Sequence, residues 1–475
     1  MLPQTFLHLF SLAAVAAATP AHSPPELRVL TSSGVVNGIY NDSALTVRAF
    51  LGIPYAEPPT GVHRFAPPRS KAPSRSPIDA STFAGPCPQG YKHDDQSIWS
   101  VLPYEIWNPA QMTEDCLAVN VWAPSKKYHE KQTEKKAAVL LFIHGGGFVN
   151  GAGSIGFYDG SNLVRDHGDV VVVTFNYRLN VFGFPNAPGL ELGEQNVGLL
   201  DQRLAIEWVH KNIASFGGDP DRILLFGQSA GAASVDTYSY AYPDDPLVSA
   251  LVFESGTVGL ISNTDQNNTN WNGLSTAVGC GSGPESLSCM SDVPFESIID
   301  AMITGSYSFT PVFDNRTMFS DYADRAGAGR QARLPYYRIQ PTLAGISARE
   351  YSAIFPLSQP AVNETLVTAI LYRLFSCPVY EAVGLRLQEH IPTWRYVYHG
   401  NFTNLSPTPW LGAYHTGAWV AFAKDPHNGL RRYGWPQFRF GENTLVNLAV
   451  DNEPGAVLGS ASEWDSHCSG NANIG

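Results

Sequence analysis

The chain has 475 residues, 44% of them hydrophobic and 15% charged, with a formal net charge of −12 and a pI near 5.5. This is globular composition, long enough for one large domain or two ordinary ones. The acidic balance, with no basic patch, excludes the electrostatic footprint of a nucleic-acid binder.

The N-terminus reads MLPQTFLHLFSLAAVAAATPAHSPPE. Its apolar run from Phe6 to Ala18 ends in small residues, the pattern of a secretory signal over 1–21, cleaved near Ala18 or Ala21. No Lys or Arg precedes the run. It is too short to span a bilayer, and no later stretch reads as a transmembrane segment. Cysteines number six, an even count suited to an oxidising compartment. N-x-S/T sequons stand at Asn41, Asn267, Asn315, Asn363, Asn401 and Asn404. Together these features predict a secreted glycoprotein.

Pro-rich segments at 54–77 and 102–109 read as surface excursions. Short apolar, β-rich runs predict strands at 138–145 (AVLLFIHG), 170–178 (VVVVTFNYR), 222–228 (RILLFGQ) and 250–256 (ALVFESG). Continuous apolar runs suit a parallel sheet buried on both faces. Residues 198–217 have helical spacing, with Leu200, Leu204, Trp208 and Ile213 on one face. Strands alternating with helices predict an α/β doubly wound fold. The stretch 257–335 is less regular and is expected to form a cap-like excursion within the same domain.

GQSAG occupies 227–231, directly after the strand ILLF and before the helix-compatible run AGAASVDTYSY. That order is the strand–turn–helix elbow that exposes a nucleophilic serine, here Ser229, above a sheet. Gly227 and Gly231 lack the Cβ atoms that a sharp turn would not accommodate. An acyl-transfer site also needs donors for an oxyanion. IHGGGF (143–148) follows a strand and offers flexible peptides; the N–H groups of Gly146, Gly147 and Ala230 are the expected donors.

FGGDPDRILLFGQSAG (216–231), EDCLAVNVWAP (114–124), LGIPYAEPP (51–59) and FNYRLNVFGF (175–184) resemble segments of the type-B carboxylesterase/lipase family. That family of α/β-hydrolases includes cholinesterases and fungal secreted lipases. The resemblance runs from about residue 27 to the C-terminus. It implies one α/β-hydrolase domain over 27–475, with a mostly parallel sheet, helices on both faces and cap-like insertions. It also implies ester hydrolysis through an acyl-enzyme, with no cofactor and no metal.

The resemblance further suggests the pairs Cys87–Cys116, Cys280–Cys289 and Cys377–Cys468. Sequence alone allows fifteen connectivities. In family lipases the loop 88–115 often forms a lid; here it carries Ile98, Trp99, Leu102, Ile106 and Trp107, which suit a lipid-like ester or simply pack inward. Cholinesterases carry Glu beside the nucleophile, and this chain has Gln228, which speaks against a choline ester. The expected partner is a small-molecule or lipid ester.

GAYHT places His415 where the family has its catalytic histidine. The family's short Gly/Ser-x-Glu stretch and long excursion after that histidine are missing: HT runs straight into GAWVAFAKDP, which resembles a later helix. The acid is not assigned from the sequence. ARLPYYRIQPTLAG (332–345) moves directly into what resembles the segment after the family's Glu. Glu350 is the nearest downstream carboxylate, but ISAREYSAIF reads as the exposed face of a helix; Glu254 reads as structural. Two functions compete: a secreted serine ester hydrolase using Ser229 and His415, and a non-catalytic binding or adhesion protein on a hydrolase scaffold.

Overall fold

The computed structural model describes residues 24–42, 44–90, 111–261, 265, 267–330, 333–334, 338–348, 364–400 and 413–468; at 333–334, 338–339, 364 and 413–416 only the backbone is described. Residues 1–21, expected to be a signal, the five apolar residues of the expected lid, Glu350, Asn363, Asn401 and Asn404 lie outside that set.

An eleven-stranded mixed sheet organises the chain. Its strands are β1 (Ile39–Asn41), β2 (Ala44–Pro54), β3 (Ala118–Pro124), β4 (Ala137–Ile143), β5 (Val170–Phe175), β6 (Gly218–Gln228), β7 (Ala250–Glu254), β8 (Thr342–Ser347), β9 (Thr393–Tyr398), β10 (Leu445–Leu448) and β11 (Ala456–Gly459). They lie in the order β11-β10-β9-β8-β7-β6-β4-β5-β3-β2-β1. Pairing is parallel from β5 across to β10 and antiparallel toward both ends. The four strands expected from apolar runs are β4, β5, β6 and β7, each within a few residues of the predicted limits.

Period-two alternation sends the β4 side chains to both faces. Val139, Leu141 and Ile143 join one buried cluster; Ala138, Leu140 and Phe142 join the other. The first face is covered by α1 (Val197–Asn212) and α2 (Ala230–Ala241), through Ile206, Val209, Ala232 and Val235. In and just beyond α1, Leu200, Trp208 and Ile213 are buried as their spacing predicts, and Leu204 packs partly buried against the same cluster.

The stretch 257–335 is more regular than its composition suggested. Helices α3 (Thr269–Ala277), α4 (Ser286–Asp292) and α5 (Phe295–Gly305) bury Trp271, Leu274, Met290, Ile298 and Met302 against Phe65 and Phe182. Helical spacing there is carried by few residues per turn, so the Ser, Asp and Gly content obscured it.

The helix Thr365–Gln388, ending in α6 (Cys377–Gln388), is long and apolar enough to cross a membrane by length and composition. This corrects the reading that no later stretch could do so. Its apolar face has another use: Leu371, Phe375, Val379 and Val383 pack into the core of the first face. Buried Arg386 pairs with Asp236 of α2. The three disulfides join Cys87–Cys116, Cys280–Cys289 and Cys377–Cys468, as the resemblance suggested, and no cysteine is free.

On the second face lies α7 (Ala413–Lys424), burying Ala418, Trp419, Val420, Phe422 and Ala423 against Leu140, Phe142, Leu224, Phe226 and Val252. Three contacts fix its direction. Trp419 meets Glu254, the last residue of β7. The Phe422 ring lies 5.6 Å from Trp394, the second residue of β9. Lys424 pairs with Asp169, just before β5, at 2.5 Å. The helix therefore runs antiparallel to the central strands, and its N-terminal turn stands at their carboxyl ends.

Candidate active site

Ligand sites in open α/β sheets form beyond the carboxyl ends of the strands. At that edge β6 ends at Gln228, and Ser229 follows with φ 56° and ψ −122° before α2 begins at Ala230. A non-glycine residue at such angles is strained by about 1–3 kcal/mol. The glycines around it permit the turn. A Cβ on Gly231 would lie 2.1 Å from the Ile143 carbonyl oxygen, and one on Gly227 would lie 2.5 Å from the Gly231 backbone. The Ser229 N–H donates to the Glu254 carbonyl at 2.8 Å, and the Ser229 carbonyl accepts from Ala233. The elbow is thus anchored to the neighbouring strand on one side and to its own helix on the other.

The glycine turn after β4 comes directly beside the elbow. A Cβ on Gly145 would lie 3.2 Å from the Ser229 Cβ and 2.6 Å from the Gln228 carbonyl oxygen. Gly146 and Gly147 have φ of 111° and 63°. The Gly146 carbonyl accepts from Val149 and Asn150, closing the turn. Its own N–H and that of Gly147 have no acceptor among the described residues. Ala230 is the first residue of α2, where main-chain N–H groups lack intrahelical partners. The structure so brings together Ser229, Gly146, Gly147 and Ala230 at one edge.

Several supports of this turn escaped the sequence reading. His144 is fully buried, with its Nδ1 2.8 Å from the Gly145 carbonyl oxygen and its ring stacked on Tyr177 at 4.4 Å. Burial lowers its pKa to about 4, so the ring is neutral at physiological pH. The Tyr177 hydroxyl donates to the His144 carbonyl at 3.0 Å. Gln89, beside Cys87, brackets Gly151 by accepting from its N–H and donating to its carbonyl. Only a histidine next to three glycines hinted at this in the sequence; its partners are distant in the chain.

His415 lies in the first turn of α7, one turn before Trp419, with its main chain on the same edge of the sheet as Ser229. This answers how the missing excursion is accommodated: the helix expected from about 418 starts five residues earlier and takes in the histidine. His399, directly after β9, is held elsewhere, 2.9 Å from the Asn447 side-chain oxygen. The Glu254 carboxylate accepts from the Trp419 indole at 2.6 Å, in keeping with a structural role. Strand β8 ends at Ser347, and Glu350 is the first carboxylate after it in the sequence. The described residues contain no cluster suited to a metal ion. Of the sequons, Asn267 and Asn315 are exposed, whereas Asn41 is half-buried and donates to the Ser161 hydroxyl at 2.7 Å.

Residues 25–365 match the carboxylesterase family. The chain belongs to that family. A chlorogenic acid esterase of Aspergillus niger is 36% identical over an alignment of 492 positions, covering 93% of this chain and 94% of the relative. Secreted lipase 5 of Gibberella zeae is 33% identical, covering 90% of this chain and 91% of the relative. An acetylcholinesterase of Electrophorus electricus is 34% identical over 73% of this chain and 56% of its own length. The α/β-hydrolase sheet and the family match agree, and these relatives are carboxylic ester hydrolases by name. The 492-position alignment spans only part of a 475-residue chain, so it contains gaps on this chain's side.

Proposed function

We propose that the protein is a secreted serine carboxylic-ester hydrolase working through an acyl-enzyme. The observation that carries this is the backbone of Ser229, held at φ 56° in a strand–turn–helix elbow against the Gly145–Gly147 turn. In this reading the Ser229 hydroxyl attacks the ester carbonyl and His415 takes its proton. The N–H groups of Gly146, Gly147 and Ala230 stabilise the oxyanion. His415 then protonates the leaving alcohol, and water releases the acid in a second step.

The acid stays unassigned, and Glu350 is the candidate that chain order offers. The order Ser, acid, His along the chain is that of this fold. Ser229 follows β6, Glu350 follows β8, and His415 lies between β9 and β10. The segment ISAREYSAIF (346–355), expected to form a helix face, lies largely outside the described residues, as does Glu350 itself.

Three disulfides, six sequons and the signal-like segment 1–21 support export, and one sheet with its two cores supports a single domain over 27–475. The substrate is read as a small-molecule or lipid ester. The two fungal relatives are named for chlorogenic acid and for lipid, so a panel holding chlorogenate and p-nitrophenyl esters of graded chain length separates the classes. A fluorophosphonate should label wild type at Ser229, and Ser229→Ala should abolish both label and turnover. The absence of any label would sink this reading in favour of the binding-protein alternative, and a label on another serine would overturn the elbow assignment.

A further inference from the structure

Glu254 touches both halves of the proposed machinery. Its main-chain carbonyl accepts from the Ser229 N–H at 2.8 Å. Its carboxylate accepts from the Trp419 indole at 2.6 Å. Trp419 is otherwise packed, 5% exposed, with its ring 5.4 Å from Tyr396 and 6.2 Å from Trp435. Tyr396 stands level with Gly345, Gly345 with Glu254, and Glu254 with Gln228, so the indole sits at the height of the strand end that leads into the nucleophile. One helical turn, about 6 Å of rise, separates Trp419 from His415.

Apolar contacts are non-directional, so they define the axial position of a helix less sharply than a directional bond does. A charge-assisted hydrogen bond cannot be kept through an axial slide, and is roughly twice as strong as a neutral one. Farther along α7, Lys424–Asp169 ties the other end but is partly exposed and so worth little.

We infer that Glu254 and Trp419 are a positioning pair, whose indole–carboxylate bond sets the height of His415 relative to Ser229. The inference rests on the reading of Ser229 and His415 as nucleophile and base. In this role the pair acts through the axial position of α7 and not on the substrate. Misplacing a reacting group by about 1 Å can cost on the order of a hundredfold in rate.

The test uses the full chain and five variants: Ser229→Ala, Trp419→Phe, Glu254→Ala, Glu254→Gln and the double Trp419→Phe/Glu254→Ala. For each, kcat and KM on p-nitrophenyl butyrate, the rate of Ser229 phosphonylation and the thermal midpoint are measured. Trp419→Phe and Glu254→Ala should each lower kcat and phosphonylation about tenfold or more, with KM changed less than about twofold. The double variant should be no worse than the poorer single, as for two ends of one bond. Glu254→Gln keeps a carbonyl acceptor for the indole and should recover most of the rate. If Ser229→Ala is inactive but both single variants keep wild-type kcat, the pair has no positioning role while the nucleophile assignment stands. If Glu254→Gln fails as badly as Glu254→Ala, and losses track the thermal midpoint, the bond is only a strut. Turnover in Ser229→Ala equal to wild type, or a wild type that neither turns over nor labels, overturns both ideas.

Discussion

The N–H of Ser229 donates to the carbonyl of Glu254 at 2.8 Å, so the residue with the least comfortable backbone at the site is pinned by the strand beside it. Strain of this kind persists only where surroundings over-determine it. Ser229→Gly removes the strained Cβ and the nucleophile together. It should abolish labelling and raise stability by about 1 kcal/mol, less what glycine loses in chain entropy. Urea denaturation of the two proteins tests this; a variant less stable than wild type would mean the φ of 56° carries no strain.

Gly146 and Gly147, the proposed oxyanion donors, should respond differently to an added methyl. At Gly147 the nearest neighbour of a Cβ is a Val149 methyl at 3.8 Å, so Gly147→Ala meets only the cost of positive φ, about 1–2 kcal/mol. At Gly146 a Cβ would lie 2.1 Å from the Asn150 carbonyl oxygen, so Gly146→Ala must displace the turn. Gly147→Ala keeps its N–H and should fold, but a methyl beside that donor crowds the oxyanion it serves, and turnover should fall by up to about a hundredfold, the scale of a lost donor. Gly146→Ala should express poorly or melt several degrees lower. Wild-type kcat in Gly147→Ala would leave that turn with a structural role alone.

Burial of His144 makes folding sensitive to acid. Its folded pKa, about 4, lies below the unfolded value of 6.5, so the unfolded chain takes up the proton first. The stability from neutral His144 is full above pH 6.5 and is lost as pH falls toward 4, up to about 3 kcal/mol. His144→Gln removes the titrating ring. Comparing urea midpoints at pH 7 and pH 5 should show a smaller fall for the variant than for wild type; parallel falls would refute the assignment.

The acid and the shortened segment after His415 are tested together. An acid that holds the imidazole tautomer is worth roughly 10⁴ in turnover, so Glu350→Gln should lose about that much if Glu350 serves. The continuous helix Ala413–Lys424 leaves no loop after His415 to adjust its position. The chain as it stands should therefore be a slow catalyst. Inserting a family-like segment between Thr416 and Gly417 should raise kcat. Equal rates with and without it would show that the histidine already reaches Ser229 from the helix.

Cys377–Cys468 closes the longest loop, with a sequence separation of 91, and ties the base of α6 to the chain's last described turn. Loop-closure entropy predicts a loss of about 2–5 kcal/mol when it is removed. Cys377→Ser/Cys468→Ser should unfold at lower urea than wild type, and the corresponding change at Cys280 and Cys289, separated by 9, should cost less. The reverse order would count against a chain-entropy origin.

The sequence by itself determined the features written in neighbouring residues. The strands β4 to β7 were legible because both faces of a parallel sheet are buried and their runs are continuously apolar. The Ser229 elbow and the glycine turn were legible because a sharp turn and a close approach leave few residue types available. The tertiary structure decided what depends on contacts across the chain. Glu254 and Trp419 meet across 165 residues, and neither has a local pattern that announces the other. His415 was expected just before a helix resembling a later one of the family, and packing of Trp419 and Phe422 on the sheet accompanies a helix that starts at Ala413 and takes it in. Local propensity is worth tenths of a kcal/mol per residue, whereas burying one large side chain is worth about 1.5–3 kcal/mol, so packing sets the limits of these elements wherever the two disagree.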